Sequence, residues 1–396
     1  MTDHHPTCAT VGAPASALID TDAISANVRA LREHAPGAAL MAVVKADGYG
    51  HGLLTSARAA QVGGADWLGV AQLVEAIALR EAGITGRLFS WLHVPGTDFA
   101  AALEGDIDLS ASAPWALEEI AAAAAATGRT ARVHLKVDTG LGRNGAFGDD
   151  FLDLLIRARR LEAEEAVSVV GVWSHFAYAD EPEHPTVRHQ QKVFEEAVRA
   201  AERAGCRLEV RHLANSAATL TNPAVHYDLV RPGIALYGLS PVPRVGGPAA
   251  FGLTPAMTLT ARLANVKRVP GGQGVSYGHT YTTPGETVLG LVPLGYADGI
   301  PRGASNVGPV AARGRRHTVA GRVCMDQFVL DLGPDSTARP GDEVLVFGAD
   351  PSGPSAQDWA DATGTISYEI VTRIGARVPR VPCVQAGTAS SEEDHR

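Results

Sequence analysis

The stretch MAVVKADGYGHG, residues 41–52, joins an apolar run to a glycine-rich loop. The apolar run ends at Val44 and has the composition of a buried strand. Lys45 follows as a cation at the end of that strand, and three of the next seven residues are glycines. A lysine at the tip of a buried strand, facing a loop with room beside it, predicts that its amine takes part in chemistry.

Lysine is scarce in this sequence, which makes its positions informative. Arginine supplies 30 of the 34 basic residues, and the four lysines are Lys45, Lys136, Lys192 and Lys267. A desolvated lysine loses its proton readily, whereas arginine stays charged in proteins. Lys45 and Lys136 lie in apolar strand-like runs, so we expect the amine itself to matter at these two positions.

Length and charge narrow the class of protein. At 396 residues the chain has room for a large barrel and a second domain. Its formal net charge of -9 argues against nucleic-acid binding, and no apolar stretch approaches the ~18 residues of a membrane span. The N-terminus lacks the features of a signal peptide, and the four cysteines show no paired spacing. We therefore expect a cytoplasmic protein with reduced thiols that binds neither membranes nor nucleic acid.

Strand-like and helical segments alternate from about residue 38 to residue 240. This alternation predicts the α/β class and an N-terminal (β/α)8 barrel of the TIM type. The eight strand-like runs are residues 39–45, 67–71, 87–92, 107–112, 131–138, 167–175, 208–214 and 227–233.

The pattern changes after about residue 250, where prolines and glycines separate short strand-like runs. We expect a barrel domain over residues 14–252 and a mainly β domain over residues 253–385, with one short helix near residues 355–363. The polar tail, residues 386–396, is predicted to be disordered. Residues 15–20 are strand-like and precede the barrel pattern, and their pairing with the β domain is an open alternative.

Several polar residues follow predicted strands, at the end of a barrel where chemistry takes place. Each one alone is explained as well by a surface lysine, a core histidine or a helix cap. Their coincidence on one rim favours a functional site. The residues are Lys45, Arg143, His175, Asn215, Ser216, Arg231 and Gly233.

The segments after the seventh and eighth strands indicate a phosphate site. NSAAT (215–219) and RPGIALYG (231–238) occupy positions where barrels bind phosphate through backbone N–H groups. A phosphate beside a lysine amine is one way to hold pyridoxal 5'-phosphate, whose aldehyde forms a Schiff base with lysine. We expect no metal, because the candidate histidines lack a clustered ligand pattern with Asp or Glu.

From about residue 14 to residue 382 the sequence closely resembles the alanine racemase family. The resemblance implies a pyridoxal-phosphate-dependent isomerase that interconverts L-alanine and D-alanine, supplies D-alanine for peptidoglycan and forms a homodimer with shared active sites. The matching motifs are AVVKADGYGHG, KVDTGLGRNG, HFAYAD, NSAA, RPGIALYG, VSYGHTY, GYADGIPR, GRVCMDQ and YEIVTRIGARVPR.

The resemblance also implies a role for each matching residue. Lys45 and Tyr277, the latter from the other subunit, are the two bases that serve opposite faces of Cα in the external aldimine. Lys136 matches a lysine that is carbamylated in some relatives. Cofactor contacts are implied for Lys45, Tyr49, Arg143, His175, Asn215, Ser216, Arg231, Gly233, Ile234 and Tyr368. Substrate contacts are implied for Arg143, Met325 and Asp326, and an entryway for Asp180, Tyr296, Arg302, Arg322 and Ile366.

Three alternative functions fit the sequence less well. A racemase of broader specificity with the same fold remains an alternative. A pyridoxal-phosphate carrier without catalysis would need neither the β domain nor Tyr277. A decarboxylase of similar fold would be expected to place an acidic residue, rather than Arg231, at the pyridine nitrogen, because protonation there makes the ring a stronger electron sink.

Overall fold

The computed structural model describes residues 13–383 and divides into two compact units. We name them the barrel unit, residues 24–254, and the β unit, which comprises residues 13–23 and 255–383. The predicted tail at residues 386–396 lies outside the described residues. The strand-like N-terminal segment forms β1 (Ala15–Asp20) and belongs to the β unit.

The barrel unit contains eight parallel strands in the order β10-β2-β3-β4-β5-β6-β8-β9, and the short β7 pairs with β6. An isolated parallel bridge between Asn215 and Arg231 joins the segments that follow β9 and β10. The (β/α)8 prediction is therefore confirmed. The strands are β2 (Ala39–Val43), β3 (Trp67–Val70), β4 (Arg87–Ser90), β5 (Asp108–Ala111), β6 (Ala131–Asp138), β7 (Ala146–Phe147), β8 (Val167–Trp173), β9 (Val210–His212) and β10 (Leu229–Val230).

Helices connect these strands, and local sequence sets their ends. The fifth helix begins at a proline, which suits the first helical position, and it stops at Gly128, whose φ of 67° lies in the left-handed region. Within residues 13–383 no helix is long and apolar enough to cross a membrane. The helices are α1 (Thr21–His34), α2 (Leu53–Val62), α3 (Leu73–Glu81), α4 (Phe99–Glu104), α5 (Pro114–Thr127), α6 (Asp149–Ala163), α7 (Pro185–Arg203) and α8 (Ser216–Thr221).

Large apolar side chains from several strands fill part of the barrel interior. The strands read as nearly continuous apolar runs because helices cover their outer faces and side chains fill the inside. The first predicted strand ends two residues early, at Val43, because the backbone turns sharply at the next positions. The packed cluster consists of Met41, Trp67, Phe89, Trp173, Val210 and Leu229.

The β unit is built on a six-stranded sheet of order β17-β16-β19-β11-β1-β20, with a second sheet β12-β15-β18 and a hairpin β13-β14. Its further strands are β11 (Met257–Arg262), β12 (Asn265–Val269), β13 (Gly274–Val275), β14 (Tyr281–Thr282), β15 (Thr287–Val292), β16 (Pro309–Ala312), β17 (Arg315–Thr318), β18 (Phe328–Asp331), β19 (Glu343–Phe347) and β20 (Arg380–Cys383). The mainly β prediction is confirmed.

Two helices interrupt the β unit. The first, α9 (Ala356–Thr363), is the short helix expected from the sequence, and a capping box between Ser355 and Asp358 fixes its start. The second, α10 (Ser367–Thr372), was not predicted, because its six residues are too few to display helical periodicity. It carries the candidate residue Tyr368.

Candidate active site

A left-handed turn presents Lys45 at the C-terminal rim of the barrel. The backbone φ angles are 54° at Ala46, 53° at Asp47, 62° at Gly48 and 52° at Tyr49. Residues with a Cβ atom adopt this region at a cost of roughly 1–2 kcal/mol each. Strain of this kind persists where the surrounding structure holds it in place, and it is frequent at functional sites.

Hydrogen bonds from neighbouring elements hold the turn. The Ala46 N–H donates to Glu75 Oε1 at 2.6 Å, and the Leu53 N–H donates to Asp47 Oδ1 at 2.7 Å. Glu75 Oε2 also accepts from Ala71 N–H and Gln72 N–H, both at 3.1 Å. One carboxylate therefore ties the lysine turn to the start of α3. Glu75 is not among the predicted site residues, because its spacing from Gln72 is the signal of a helix cap but not of a functional site.

The Lys45 amine lies among aromatic rings and other charges. Its Nζ is 5.9 Å from the ring centroid of Tyr49 and 5.9 Å from that of Trp91. Burial lowers the pKa of Lys45, the positive charge of Arg143 lowers it further, and Glu75 acts in the opposite direction. More of the amine is therefore neutral near pH 7 than for a lysine in water.

Tyr49, Ser216 and Gly233 form a tight polar cradle on the same rim. The Gly233 N–H donates to Ser216 Oγ at 2.7 Å, and the Ala235 N–H reaches the same oxygen at 3.4 Å. A Cβ atom at Gly233 would overlap the Tyr49 hydroxyl, so any larger residue there would displace the Tyr49 ring. Asn215 supports the cradle as the N-cap of α8, where its Oδ1 accepts from the Ala218 N–H at 3.1 Å.

Arg231 is a buried cation just after β10. It donates to His212 Nδ1 at 3.1 Å and to the Ser174 carbonyl oxygen at 2.8 Å, and its guanidinium lies 5.0 Å from the Trp173 ring centroid. Burial lowers the pKa of Arg231 to about 9, which still leaves the group charged at neutral pH. His212 and Trp173 were not among the predicted site residues.

Lys136 on β6 is a second buried amine, with its Nζ 4.0 Å from the Trp173 ring centroid. Burial, followed by the charges of Arg231 and Arg143, lowers the pKa of Lys136 to about 7. Burial lowers the pKa of His175 well below its usual range, and the same two arginines add to the effect. The barrel unit thus brings together the predicted residues Lys45, Lys136, Arg143, His175 and Arg231.

The loop that carries Arg143 is shaped by Asp138. The carboxylate oxygen Oδ1 of Asp138 accepts from the N–H groups of Gly140, Leu141 and Gly142 at 2.9, 3.0 and 3.2 Å. Arg143 itself is exposed in the single chain, as is the predicted entryway residue Asp180. A fixed loop backbone thereby presents an exposed guanidinium.

The β unit gathers a second group of predicted residues. Tyr277 is 71% exposed and starts a short 3₁₀ turn after Ser276, whose φ is 60° and whose Oγ donates to the Arg322 carbonyl oxygen at 2.7 Å. The Tyr296 N–H donates to the carbonyl oxygen of Cys324, the residue before Met325. These contacts place Tyr277, Tyr296, Arg322 and Met325 in one region of the unit.

The remaining predicted residues of the β unit are Asp326, Arg302, Ile366 and Tyr368. Asp326 forms an ion pair of 2.8 Å with Arg377, which also pairs with Asp298. Arg302 begins a 3₁₀ turn, and Ile366, 59% exposed, is the N-cap of the helix that carries Tyr368. The pairing of Asp326 was not foreseen from the sequence.

The left-handed turn makes a testable prediction about stability. Because Ala46 has φ of 54°, Ala46→Gly should leave the free energy of unfolding unchanged or raise it by up to about 1 kcal/mol. The matched control is Ala122→Gly at an exposed position within α5, which should cost about 1 kcal/mol. Thermal unfolding midpoints measure both variants. Equal destabilisation by the two would contradict a strained turn.

Comparison with known proteins agrees with this geometry. The family patterns "Alanine racemase, N-terminal domain" and "Alanine racemase, C-terminal domain" match residues 19–241 and 256–382. The chain is 62% identical over 365 residues to an alanine racemase of Frankia casuarinae, covering 92% of this chain and 95% of that one. It is 60% identical over 373 residues to one of Streptomyces coelicolor, covering 93% and 95%.

Solved structures give the same result. The alanine racemase of a D-cycloserine-producing Streptomyces lavendulae superposes with a TM-score of 0.93 at 57% identity, covering 94% of this chain and 98% of that one. A more distant alanine racemase, from Clostridium difficile, reaches 0.88 at 32% identity, with coverage of 95% and 97%. With both family patterns matched along nearly its whole length, this chain belongs to the alanine racemase family.

Proposed function

We propose that the protein interconverts L-alanine and D-alanine with pyridoxal 5'-phosphate as its cofactor. Membership of the family and the resulting isomerase activity rest on the relatives described above. The observation that carries the proposal is Lys45, an amine with a lowered pKa held by a strained turn among cationic side chains. A racemase of broader specificity remains the second candidate, because the residues of the predicted entryway set substrate size.

The cradle fits the cofactor proposed for it. The Tyr49 hydroxyl lies where a Gly233 side chain would be, and Ser216 Oγ contacts the Gly233 N–H, so two hydroxyl groups meet at one point, which suits one phosphate group. Ile234 follows Gly233 directly, and we propose Asn215 and Tyr368 as further contacts. Arg231 would face the ring nitrogen with His212 hydrogen-bonded behind it. His175 would be a further cofactor contact, and Arg143 would reach the phenolic oxygen. When bound, pyridoxal phosphate supplies an aldehyde for amino groups and a ring that withdraws electrons from Cα.

Two bases on opposite faces of Cα perform the proton transfer. Lys45 accepts or returns the proton on one face, for which its lowered pKa provides the neutral amine. Tyr277 serves the other face with its phenolic oxygen. A single base could not reach both faces of one carbon without a large movement, so inversion needs both residues.

Arg231 controls the ring nitrogen. It would donate a hydrogen bond there, and because its guanidinium retains its proton at neutral pH the nitrogen stays unprotonated. When bound, a cofactor ring held unprotonated by Arg231 would withdraw electrons from Cα less strongly. Reprotonation of Cα is then favoured over loss of a proton elsewhere, as racemisation requires.

The substrate carboxylate is assigned to Arg143 and to the segment with Met325 and Asp326. The entryway is assigned to the residues predicted for it above. Of these, Arg143 brings the positive charge that a carboxylate needs. We further propose that the reaction takes place in the cytoplasm, where free alanine is available, and supplies D-alanine for peptidoglycan. The Lys45 and Tyr277 of one active site would come from different chains of a homodimer.

Lysine substitution tests the proposed function. Lys45→Ala should lower kcat for racemisation by about 10³-fold or more, because it removes both the cofactor anchor and one base. Lys192→Ala changes a lysine whose side chain is 75% exposed and should behave as wild type. Chiral chromatography of D-alanine formed from L-alanine reports activity, and borohydride bleaching of visible absorbance reports the lysine linkage. Undiminished racemisation by Lys45→Ala would refute the assignment.

Subunit mixing tests whether the active sites are shared. Lys45→Ala and Tyr277→Phe should each be inactive alone. In a mixed dimer with shared sites, one site carries both defects and the other carries neither, so an equal mixture should regain about a quarter of wild-type activity. A mixture that stays inactive after subunit exchange has been demonstrated would place Tyr277 in the site of its own chain.

We also propose that Lys136 is carbamylated. With a pKa of about 7, about half of this amine is neutral at pH 7, and its lone pair can attack the carbon of CO₂. As the new N–C bond forms, one C=O π pair of CO₂ moves onto its oxygen, and the nitrogen then loses a proton to water. The product is an anion beside Arg231 and Arg143, which replaces charge repulsion with attraction.

Thermal unfolding checks the carbamate. Without CO₂, burial of the protonated Lys136 lowers the free energy of unfolding below pH 7. This loss of stability diminishes as the pH rises from about 7, the pKa in the folded protein, to 10.5, the pKa of a free lysine. Lys136→Met should therefore be more stable than wild type at pH 7, by at most about 5 kcal/mol, with the difference vanishing towards pH 10.5. Bicarbonate should stabilise wild type but not Lys136→Met. The same response to bicarbonate in both proteins would exclude a carbamate at this position.

A further inference from the structure

A chain of hydrogen-bonded polar side chains runs through the interior of the barrel, from its N-terminal end to the rim. We name Arg231, His212, His134 and Asp108 the polar column. Arg231 donates to His212 Nδ1 at 3.1 Å, His212 Nε2 lies 2.8 Å from His134 Nδ1, and His134 Nε2 lies 3.2 Å from Asp108 Oδ2. Asp108 begins β5, whereas Arg231 follows β10, so the column spans the height of the barrel.

Hydrogen-bond chemistry fixes the protons of the column. Arginine only donates, so His212 Nδ1 must be a bare acceptor and its proton must be on Nε2. That proton points at His134, whose Nδ1 must therefore accept and whose Nε2–H donates to the Asp108 carboxylate. Both histidines are thus neutral, and both carry the proton on Nε2. Burial lowers the pKa of His212 well below its usual range and lowers that of His134, in agreement with neutral rings.

The polar column also explains how the buried guanidinium of Arg231 is stabilised. Arg231 is only 6% exposed, yet no carboxylate among the described residues forms an ion pair with it. The carboxylate of Asp108 is at the far end of the column and polarises the two imidazoles towards Arg231. Burial raises the pKa of Asp108, but hydrogen bonding to His134 and the charges of Arg87 and Arg132 reverse this, so the net pKa is lowered.

The surrounding residues hold the rings of the column in place. The Trp173 ring is stacked on His212 with an interplanar angle of 3°, and the Phe89 ring centroid is 4.5 Å from that of His134. Gly171 leaves the space that His134 occupies, since a Cβ there would overlap His134 Nδ1. Asp108 is fixed by ion pairs of 2.6 Å to Arg87 and to Arg132. The imidazoles therefore have no room to rotate freely.

We infer that Asp108, His134 and His212 are positioning residues that orient the Arg231 guanidinium. They also keep both imidazoles neutral, so that no additional N–H group faces Arg231. This inference rests on the proposed role of Arg231 at the cofactor ring nitrogen. A proton added to His212 would set two N–H groups against each other at Arg231. A proton added to His134 would do the same against His212. The column therefore admits one arrangement of protons, and that arrangement presents Arg231 as a fixed donor.

The proton arrangement is tested first on the unmutated holoenzyme. Solid-state ¹⁵N NMR of protein labelled at histidine distinguishes bare from protonated ring nitrogens, and a His134→Gln sample assigns the resonances. Both His134 and His212 should show a bare Nδ1 and a protonated Nε2. An imidazolium, or a proton on Nδ1 in either ring, would overturn the inference. This outcome does not depend on whether the protein racemises alanine, so it is separable from failure of the proposed function.

A matched pair of variants then tests the positioning role. In His134→Gln the side-chain oxygen can accept from His212 while its NH₂ group donates to Asp108, so the direction of the column is preserved. In His134→Leu both hydrogen bonds of this side chain, to His212 and to Asp108, are lost, while Lys45 and Arg231 are retained. His134→Leu should lower kcat for alanine about tenfold and change KM less than about twofold, and His134→Gln should stay within about threefold of wild type.

Both variants should also be followed by NMR at His212. Loss of the single Nε2–H form in His134→Leu, with its retention in His134→Gln, is the signature of positioning rather than of general stability. Equal activity losses in the two variants, or wild-type kcat in His134→Leu, would overturn the role. If His134→Leu does not fold, the nitrogen spectrum of the unmutated enzyme together with the kcat of His134→Gln decides the question.

Discussion

Positive charge concentrated at one rim of the barrel governs the properties of the candidate site. Lys45, Lys136 and Arg231 are wholly or partly removed from water, and Arg143 adds its charge from the adjacent loop. Like charges in a medium of low polarity repel strongly, and the groups that can lose a proton relieve the repulsion. The amines become neutral nucleophiles and bases, while the guanidinium groups stay charged and attract anions. The same electrostatic constraint therefore creates both the reactive groups and a site for phosphate and carboxylate.

A site of this kind destabilises the fold that carries it, and the barrel compensates locally. The left-handed turn is held by the carboxylate of Glu75, and the buried guanidinium of Arg231 is connected through two imidazoles to Asp108. Glu75 lies in the first turn of α3 and Asp108 begins β5, so both carboxylates belong to regular secondary structure. The rigid part of the fold thus supplies the counter-charges, and the rim is left with an excess of positive charge.

The sequence predicted the strands and the rim residues because both have local signatures. Apolar runs mark buried parallel strands, and residues such as Lys45 and Arg231 directly follow them. The left-handed turn was foreseen only as a glycine-rich loop, since Ala46 gives no signal for positive φ and Asp47 gives only a weak one. The polar column depends on pairs separated by 19, 78 and 26 residues along the chain, and no local pattern links them. Such contacts follow from the closure of the barrel.

The position of β1 has a consequence for how the protein is made. This strand begins the described chain, yet it pairs with β11 and with β20, so that Ala17 lies opposite both Leu259 and Arg380. A ribosome releases the entire barrel sequence before either partner strand exists. β1 therefore stays unpaired at both edges while the barrel folds. The six-stranded sheet of the β unit is completed only when β20 leaves the ribosome. Synthesis order thus makes the β unit the late-folding part of the protein.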